Sequence, residues 1–409
     1  MDNSENAGTL LPEHDNKIKG GGISYENAAN AHRNAAKPNG NAAGTRDESF
    51  MRLALTLAEK GMGHTSPNPM VGSVIVKDGR IIGQGYHKRY GEPHAERNAL
   101  ASCTEDPSGA TMYVTLEPCC HYGKQPPCTD AIISAGISRV VTGSGDPNPL
   151  VAGKGVSILR EHGIEVTEHV LKKECDALNE VFFHYITRKK PFVVMKYAMT
   201  LDGKIAAHTG NSKWVTGEEA RNNVQADRGR YSAIMAGIGT VLKDDPLLTC
   251  RIPGRRNPVR IICDSSLRTP LKSRIAATIP EARTIIATCC NDDDLIRTYS
   301  DAGFEIIKVN RTDGHLDLNE LMDRLYELKI DSILLEGGGR LDWSALKAGI
   351  VDKVQAYIAP KLFGGENAKT PVEGEGVSDP AGAFRLKDIA IRHFGEDLLI
   401  EGYTVCLQE

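Results

Sequence analysis

The chain has 409 residues, 40% hydrophobic and 25% charged, which excludes collagen, coiled coil and wholesale disorder and predicts two domains. Lys and Arg number 49 against 53 Asp and Glu, a net charge of −4 that offers no basic footprint for nucleic acid or an anionic membrane. No run approaches the roughly 18 apolar residues of a membrane helix, no secretory pattern opens the chain, and ten cysteines are too sparse for a disulfide scaffold, so a cytoplasmic protein with reduced thiols and a small-molecule partner is expected.

Residues 1–46 are rich in Asn, Gly, Ala and Lys, lack aliphatic periodicity and predict a disordered tail; their acidic residues argue against a transit peptide. SFMRLALTLAEKG has helical periodicity that stops at Gly61, and Ser66, Pro67, Asn68 and Pro69 follow as a polar loop. VGSVIVKDG and RIIGQGY are short strands joined by Asp78-Gly79, a tight-hairpin dipeptide. A helix opens near His94, and then come a strand (ATMYVTL), a helix (CTDAIISAG), a strand (SRVVTGSGD), a helix (GVSILREHG) and a strand (IEVTEHVL). This order predicts an α/β/α sandwich on a mixed sheet.

The run from Thr187 to Pro191 breaks the pattern and sets the expected domains at 47–188 and 189–409. Beyond it FVVMKYA, VRIICDS, RTIIATC and SILLEGG alternate with helical EEARNNVQADRG and LNELMDRLYEL, which predicts a second α/β domain with a largely parallel sheet. VQAYIAPKLF and LLIEGYTVCL lie close in sequence and are expected to pair antiparallel. The halves share no internal repeat.

The sharpest chemical signal is His94-Ala95-Glu96, followed by Pro118-Cys119 and then Cys128. One imidazole and two thiolates hold Zn²⁺ and leave the fourth tetrahedral position for water, as a catalytic rather than a structural site does. Such an ion generates hydroxide near neutral pH, and Glu96, at the mouth of a helix, is placed to shuttle protons. This His-x-Glu and Pro-Cys arrangement is the pattern of zinc deaminases, although here the second cysteine follows nine residues after the first instead of three. Cys120 and His121 compete as ligands, but adjacent residues rarely present both side chains to one ion. Cys120 is read as packing and His121 as a group behind the ligands or at the substrate. A purely structural zinc knot would use four protein ligands and gives Glu96 no purpose. Cys103, Cys175, Cys250, Cys263 and Cys406 stand singly and are expected to be small buried hydrophobes.

Together with TSPNPMVGSVIV, GYHKRYGEPHAE, TLEPCCHYGKQPPC and SGDPNP, these residues resemble the bifunctional riboflavin biosynthesis deaminase/reductase family. The resemblance continues through KYAMTLDGKIA, WVTGEEAR, GTVLKDDPLLTCR, ICDSSLRTP, LLEGGGRL and YIAPKLFGG to the C-terminus, and the nine-residue cysteine spacing is the family's own. It implies a cytidine-deaminase-like domain followed by a dihydrofolate-reductase-like one, with His94, Cys119 and Cys128 on zinc and Glu96 as proton donor and acceptor. It implies deamination of 2,5-diamino-6-ribosylamino-4(3H)-pyrimidinone 5′-phosphate, then reduction of the ribosyl chain by NADPH. Asn68 falls in the family's substrate loop and is an implied pyrimidine contact; a plain turn role between prolines is the alternative. Ala198, Trp214, Thr240, Asp244, Ser265, Gly338, Gly339 and Arg340 are implied at the nicotinamide cofactor. Ser212, Arg228, Leu248, Arg251 and Glu336 are implied at the sugar phosphate. A homodimer or homotetramer is the family's expectation.

The residues themselves agree in part. Gly337, Gly338 and Gly339 follow the apolar strand SILLE and precede a helical stretch, where exposed amides suit a pyrophosphate, though a glycine triplet alone is a plain turn. The planar forks of Arg228 and Arg251 suit a phosphate. Trp214 is equally consistent with core, and Lys196 and Asp202 are polar candidates without an assigned role. Two rivals remain at this stage: a deaminase of tRNA or another nucleoside with a passive C-terminal half, and a non-enzymatic module with structural zinc.

Overall fold

The computed structural model describes residues 45–405; the expected tail lies outside the described residues except for its last two, and so does Cys406. Thr45 caps the first helix, α1 (Arg46–Ala58), by accepting from the Glu48 amide. The hairpin strands β1 (Gly72–Lys77) and β2 (Arg80–Tyr86) meet at Asp78-Gly79, both at positive φ as a type I′ turn requires. There follow α2 (Ala95–Ala101), β3 (Thr111–Leu116), α3 (Cys128–Ser134), β4 (Arg139–Ser144), α4 (Lys154–Glu161) and β5 (Glu165–Thr167). The sheet order is β2-β1-β3-β4-β5, antiparallel over the first three strands and parallel over the last three. Alternation along the strands supplies both faces: Ile75, Met112, Val114 and Val140 pack on one side, and Val74, Val76, Tyr113 and Val141 on the other with Met51 and Ala54 of α1. This is the expected α/β/α sandwich.

Two helices that the sequence reading did not place follow β5: α5 (Lys172–Leu178) and α6 (Glu180–Arg188), which join at Asn179. Strand β5 is also shorter than IEVTEHVL suggested, because His169 and Leu171 take left-handed φ and end the extended run.

The second sheet has nine strands, in the order Glu305–Lys308, Thr284–Thr288, Val259–Cys263, Ala233–Gly237, Ser332–Leu335, Phe192–Thr200, Lys353–Ala359, Asp397–Thr404 and Leu386–Phe394. It is built from β6 (Phe192–Thr200), α7 (Glu218–Arg230), β7 (Ala233–Gly237), α8 (Ile238–Asp244), β8 (Val259–Cys263), α9 (Arg274–Ala277), β9 (Thr284–Thr288), α10 (Asp293–Asp301) and β10 (Glu305–Lys308). A two-stranded ribbon, β11 (Arg311–Thr312) and β12 (His315–Leu316), precedes α11 (Leu318–Glu327), β13 (Ser332–Leu335), α12 (Gly339–Lys347) and β14 (Lys353–Ala359). Every pairing from β10 to β14 is parallel; β14 then pairs antiparallel with β16 (Asp397–Thr404), as expected, and β16 with β15 (Leu386–Phe394). Successive residues again divide between two cores, as with Ile285 and Ala287 against Ile286 in β9. Among the described residues, no helix is long and apolar enough to cross a membrane.

One buried cation anchors the second sheet. Arg260 on β8 is 0% exposed, and its guanidinium donates to the carbonyls of Leu247, Ile275 and Ala282 and the hydroxyls of Thr278 and Thr284. Burial brings its pKa down to about 10, and neutral oxygens rather than a carboxylate satisfy it. Arg260→Met is expected to strand these acceptors and lower stability by about 3 kcal/mol, read from the midpoint of urea unfolding.

Candidate active sites

His94, Glu96, Cys119 and Cys128 come from three places in the chain, and the fold supplies a reason for each. Gly83 and Gly85 of β2 let α2 lie on the sheet: a Cβ on Gly85 would stand 2.3 Å from the Ala99 nitrogen, and one on Gly83 2.6 Å from the Ala99 carbonyl oxygen. That close approach brings the start of α2, with His94 just before it and Glu96 in its first turn, beside the end of β3. Cys119 follows β3, and Cys128 is the first residue of α3. The amides of Cys128 and Thr129 both donate to the Cys119 carbonyl, at 3.0 and 3.2 Å, so the nine-residue loop closes on itself. Arg97 fastens that loop to α2 by donating to the carbonyls of Pro126 and Pro127, and the Gln125 side chain donates to the Gly91 carbonyl.

The result is a compact donor set. His94 Nδ1 lies 3.5 Å from the Sγ of each cysteine, and the three ligand atoms fall within 4.8 Å of one another. Hydrogen bonds from Cys128 and His94 outweigh burial and bring the Cys119 thiol down to about 4, while the proton it shares keeps Cys128 high. The pair of thiols beside an imidazole, with the Cys119 proton the more easily lost, is the donor chemistry a zinc ion needs. Glu96 is 3% exposed and outside the three-atom set; burial, and then the neighbouring Cys119 charge, push its carboxyl up to about 7. Cys120 turns away to the Leu150 carbonyl at 3.7 Å, and His121 Nδ1 is buried without a hydrogen-bond partner.

The sequence reading passed over two groups here. The His87 ring stands edge-on to His94 at 5.2 Å, and its Nε2 lies 3.4 Å from Asn68 Nδ2, so it bridges the loop and the donor set. Asp146 is carried up to about 6 by burial, with Glu117 and Cys119 adding to the shift. Both lie inside the motifs GYHKRYGEPHAE and SGDPNP, but only their burial against the site distinguishes them from turn and surface residues.

In the second sheet the candidates gather at the carboxyl ends of parallel strands, where open α/β sheets bind ligands. Ala198 is near the end of β6, Thr240 and Asp244 are in α8 directly after β7, Ser265 follows β8, and Glu336 and the glycines follow β13. Gly338 caps α12 with no side-chain oxygen, Gly339 and Arg340 form its first turn, and a Cβ on Gly338 would come within 3.5 Å of the Thr240 hydroxyl. A helix start left to its own amides fits an anionic pyrophosphate. Asp342 of the same turn is buried, lacks a partner at Oδ1, and is pushed up to about 8 by that burial.

Arg228 and Glu336 meet directly. Nε and Nη2 donate to the two carboxylate oxygens at 2.7 and 2.9 Å, Nη1 donates to the Thr249 carbonyl, and the Lys196 ammonium lies 3.7 Å from Glu336. The Arg228 fork is thus engaged by protein rather than presented as a free phosphate clamp. Burial opposes ionisation of Glu336, yet Arg228 and Lys196 outweigh it and hold the carboxyl at about 2. Leu248 is buried at positive φ, Arg251 is exposed with its amide on Gln225, and Ser212 is half-buried. Trp214 is 59% exposed with Arg221 4.5 Å above its ring, so it is not core. Asp202 is more than a turn residue: it accepts from the Thr200 hydroxyl and from the amides of Phe363 and Gly364, tying the end of β6 to the loop after β14.

Comparison with known proteins matches both halves. Residues 191–400 fit the profile described as RibD C-terminal domain, and residues 44–144 fit that of the cytidine and deoxycytidylate deaminase zinc-binding region. The riboflavin biosynthesis protein RibD of Actinobacillus pleuropneumoniae is 54% identical over 87% of this chain and 94% of its own length. A diaminohydroxyphosphoribosylaminopyrimidine deaminase/5-amino-6-(5-phosphoribosylamino)uracil reductase of Thermotoga maritima superposes with a TM-score of 0.77 at 42% identity, covering 88% of this chain and 99% of that one. Acinetobacter baumannii RibD superposes at 0.79 with 35% identity and the same coverage. A reductase profile over the C-terminal half disfavours the passive appendage, and enzyme relatives matched along nearly their whole length disfavour the binding module. The chain therefore belongs to the RibD family and is a bifunctional enzyme of riboflavin biosynthesis, a zinc-dependent deaminase joined to an NADPH-dependent reductase.

Proposed function

We propose that the deaminase acts on 2,5-diamino-6-ribosylamino-4(3H)-pyrimidinone 5′-phosphate, and that the reductase takes the resulting 5-amino-6-(5-phosphoribosylamino)uracil to its ribityl counterpart. The observation that carries the first step is the three-atom donor set with a buried carboxyl beside it and outside it. His94, Cys119 and Cys128 are the zinc ligands in this reading. Zinc, when bound, acidifies a water molecule. Glu96 accepts a proton from the attacking water and returns it to the departing amine; a carboxyl kept near neutrality by burial does both at physiological pH. Asn68 orients the pyrimidine from its loop.

In the reductase, NADPH supplies the hydride when bound. Ala198, Trp214, Thr240, Asp244, Ser265, Gly338, Gly339 and Arg340 hold it along the strand ends. Ser212, Arg228, Leu248, Arg251 and Glu336 enclose the sugar phosphate, with the Arg228–Glu336 pair as a preformed wall and Arg251 free for the phosphate. The deaminase domain takes in Thr45 and Arg46 with residues 47–188, the reductase domain spans 189–409, and the enzyme works in the cytoplasm as a homo-oligomer.

Product identification tests both steps. Incubation with the diaminopyrimidine phosphate is expected to release ammonia, and added NADPH to be oxidised only once the deaminated product is present. Removal of the metal by a chelator is expected to abolish ammonia release and leave NADPH oxidation with supplied deaminated substrate unaltered. Deamination by verified metal-free protein, or cofactor oxidation that ignores the substrate, would remove the corresponding half of the reading.

A further inference from the structure

The loop over residues 61–70 that carries Asn68 belongs to the first sheet but is gripped from outside it. At its start, Arg255 of the second domain donates from Nη1 to the Met62 carbonyl at 3.0 Å. Gly63, at φ +77, lies so close to α7 that a Cβ on it would stand 2.2 Å from the Gly229 carbonyl oxygen. At its end, the Asn179 side chain takes both backbone groups of Met70: Oδ1 accepts the amide hydrogen at 2.9 Å, and Nδ2 donates to the carbonyl at 3.0 Å. Asn179 is 2% exposed and is followed by Glu180, whose carboxylate is held by Arg230, Lys353 and the Tyr403 hydroxyl. All three partners lie beyond residue 190, so the residue that clamps Met70 is pinned to the reductase through its neighbour.

A small cavity lies between the domains, lined by Gly63, Asn68, Met70, Asn179, Arg230 and Asp331 among others. The loop thus borders space as well as its contact with Gly229, and the loss of two of its hydrogen bonds gives it room to shift. Asn68 also reaches His87, which stands against His94. A shift of the loop is therefore felt at the substrate side of the site.

We propose that Asn179 and Arg255 are positioning residues for deamination, through which the reductase domain holds both ends of the loop that presents Asn68 to the pyrimidine. This rests on the proposed contact between Asn68 and the substrate. Neither residue touches the reacting atoms; they act through the placement of Met62 and Met70. The dependence is expected to run one way, because none of the reductase candidates lies in the loop.

The test is steady-state kinetics of the full-length enzyme with the diaminopyrimidine phosphate, alongside zinc content and the reductase constants with supplied deaminated substrate. Asn179→Ala is expected to raise the deamination KM about tenfold, with kcat within about twofold and zinc content and reductase constants at parental values. Arg255→Ala, at an exposed side chain that folding tolerates, is expected to raise the same KM about threefold with the same silence elsewhere. A folded Asn179→Ala enzyme with the parental KM, or one whose kcat and zinc content fall together, would overturn the proposal. Should Asn179→Ala fail to fold, a parental KM in Arg255→Ala overturns it. Asn68→Ala separates the two claims: a parental KM there with a raised KM in Asn179→Ala removes the Asn68 contact and keeps the clamp, and the reverse removes the clamp.

Discussion

Glu96→Ala is expected to lower deamination about a thousandfold while zinc content, folding and NADPH oxidation with the deaminated substrate stay at parental values. The size follows from what the carboxyl does: it moves a proton twice in one turnover, and the donor set itself, an imidazole and two thiols, holds no carboxyl to take its place. Removing it leaves His94, Cys119 and Cys128 intact as a donor set, so metal analysis separates a proton-transfer defect from a lost ion. Glu96→Gln sharpens the distinction, since it keeps the shape and hydrogen-bonding capacity of the buried side chain but cannot accept the proton. Substantial turnover in either variant, with the metal in place, would end the assignment of Glu96 as the proton shuttle.

The second large effect falls on the reductase half. Glu336→Ala would leave Arg228 and Lys196 facing an uncompensated buried space, and one-sided removal of a buried pair costs about 3–5 kcal/mol. The expected result is a lower urea midpoint together with loss of NADPH oxidation, and deamination measured below the new unfolding transition persists. The pH dependence has a definite sign. The Glu336 carboxyl is held at about 2, below its ordinary value of 4.5, so its contribution is fully present above about 4.5 and is lost as pH falls toward 2. Glu336→Gln is expected to remove that part of the acid-side slope and flatten the stability profile in this window. An unchanged slope would show that the pair with Arg228 does not stabilise the folded state.

The two halves differ in how much of each site could be read before folding. The zinc pattern was legible because its chemistry is local. His94 and Glu96 share one helix start, and a cysteine pair bracketing a short loop has few other uses in a reduced chain. The hairpin at Asp78-Gly79 and the alternating strands were legible for the same reason, since a two-residue turn and a period of two are properties of adjacent residues. Strand β15 gave no such signal: six of its nine residues are exposed and none is buried, and Asp388 interrupts it at positive φ, so no buried face develops. Helices α5 and α6 are short and broken at Asn179, which hides their period.

By itself the sequence determined the composition class, two α/β domains, the parallel character of the second sheet, and the His94, Cys119, Cys128 and Glu96 cluster as the candidate metal site. Only the tertiary structure decided the pairing of Arg228 with Glu336, the place of His87 between Asn68 and His94, the burial that raises Glu96, and the grip of Asn179 and Arg255 on the loop over residues 61–70. The physical reason is sequence separation. Arg228 and Glu336 lie 108 residues apart and Asn179 and Met70 109 apart, and no periodicity or spacing rule reaches so far. Which polar group meets which across such a distance, and how dry the meeting place is, follows from the packing of whole sheets and not from any stretch of chain.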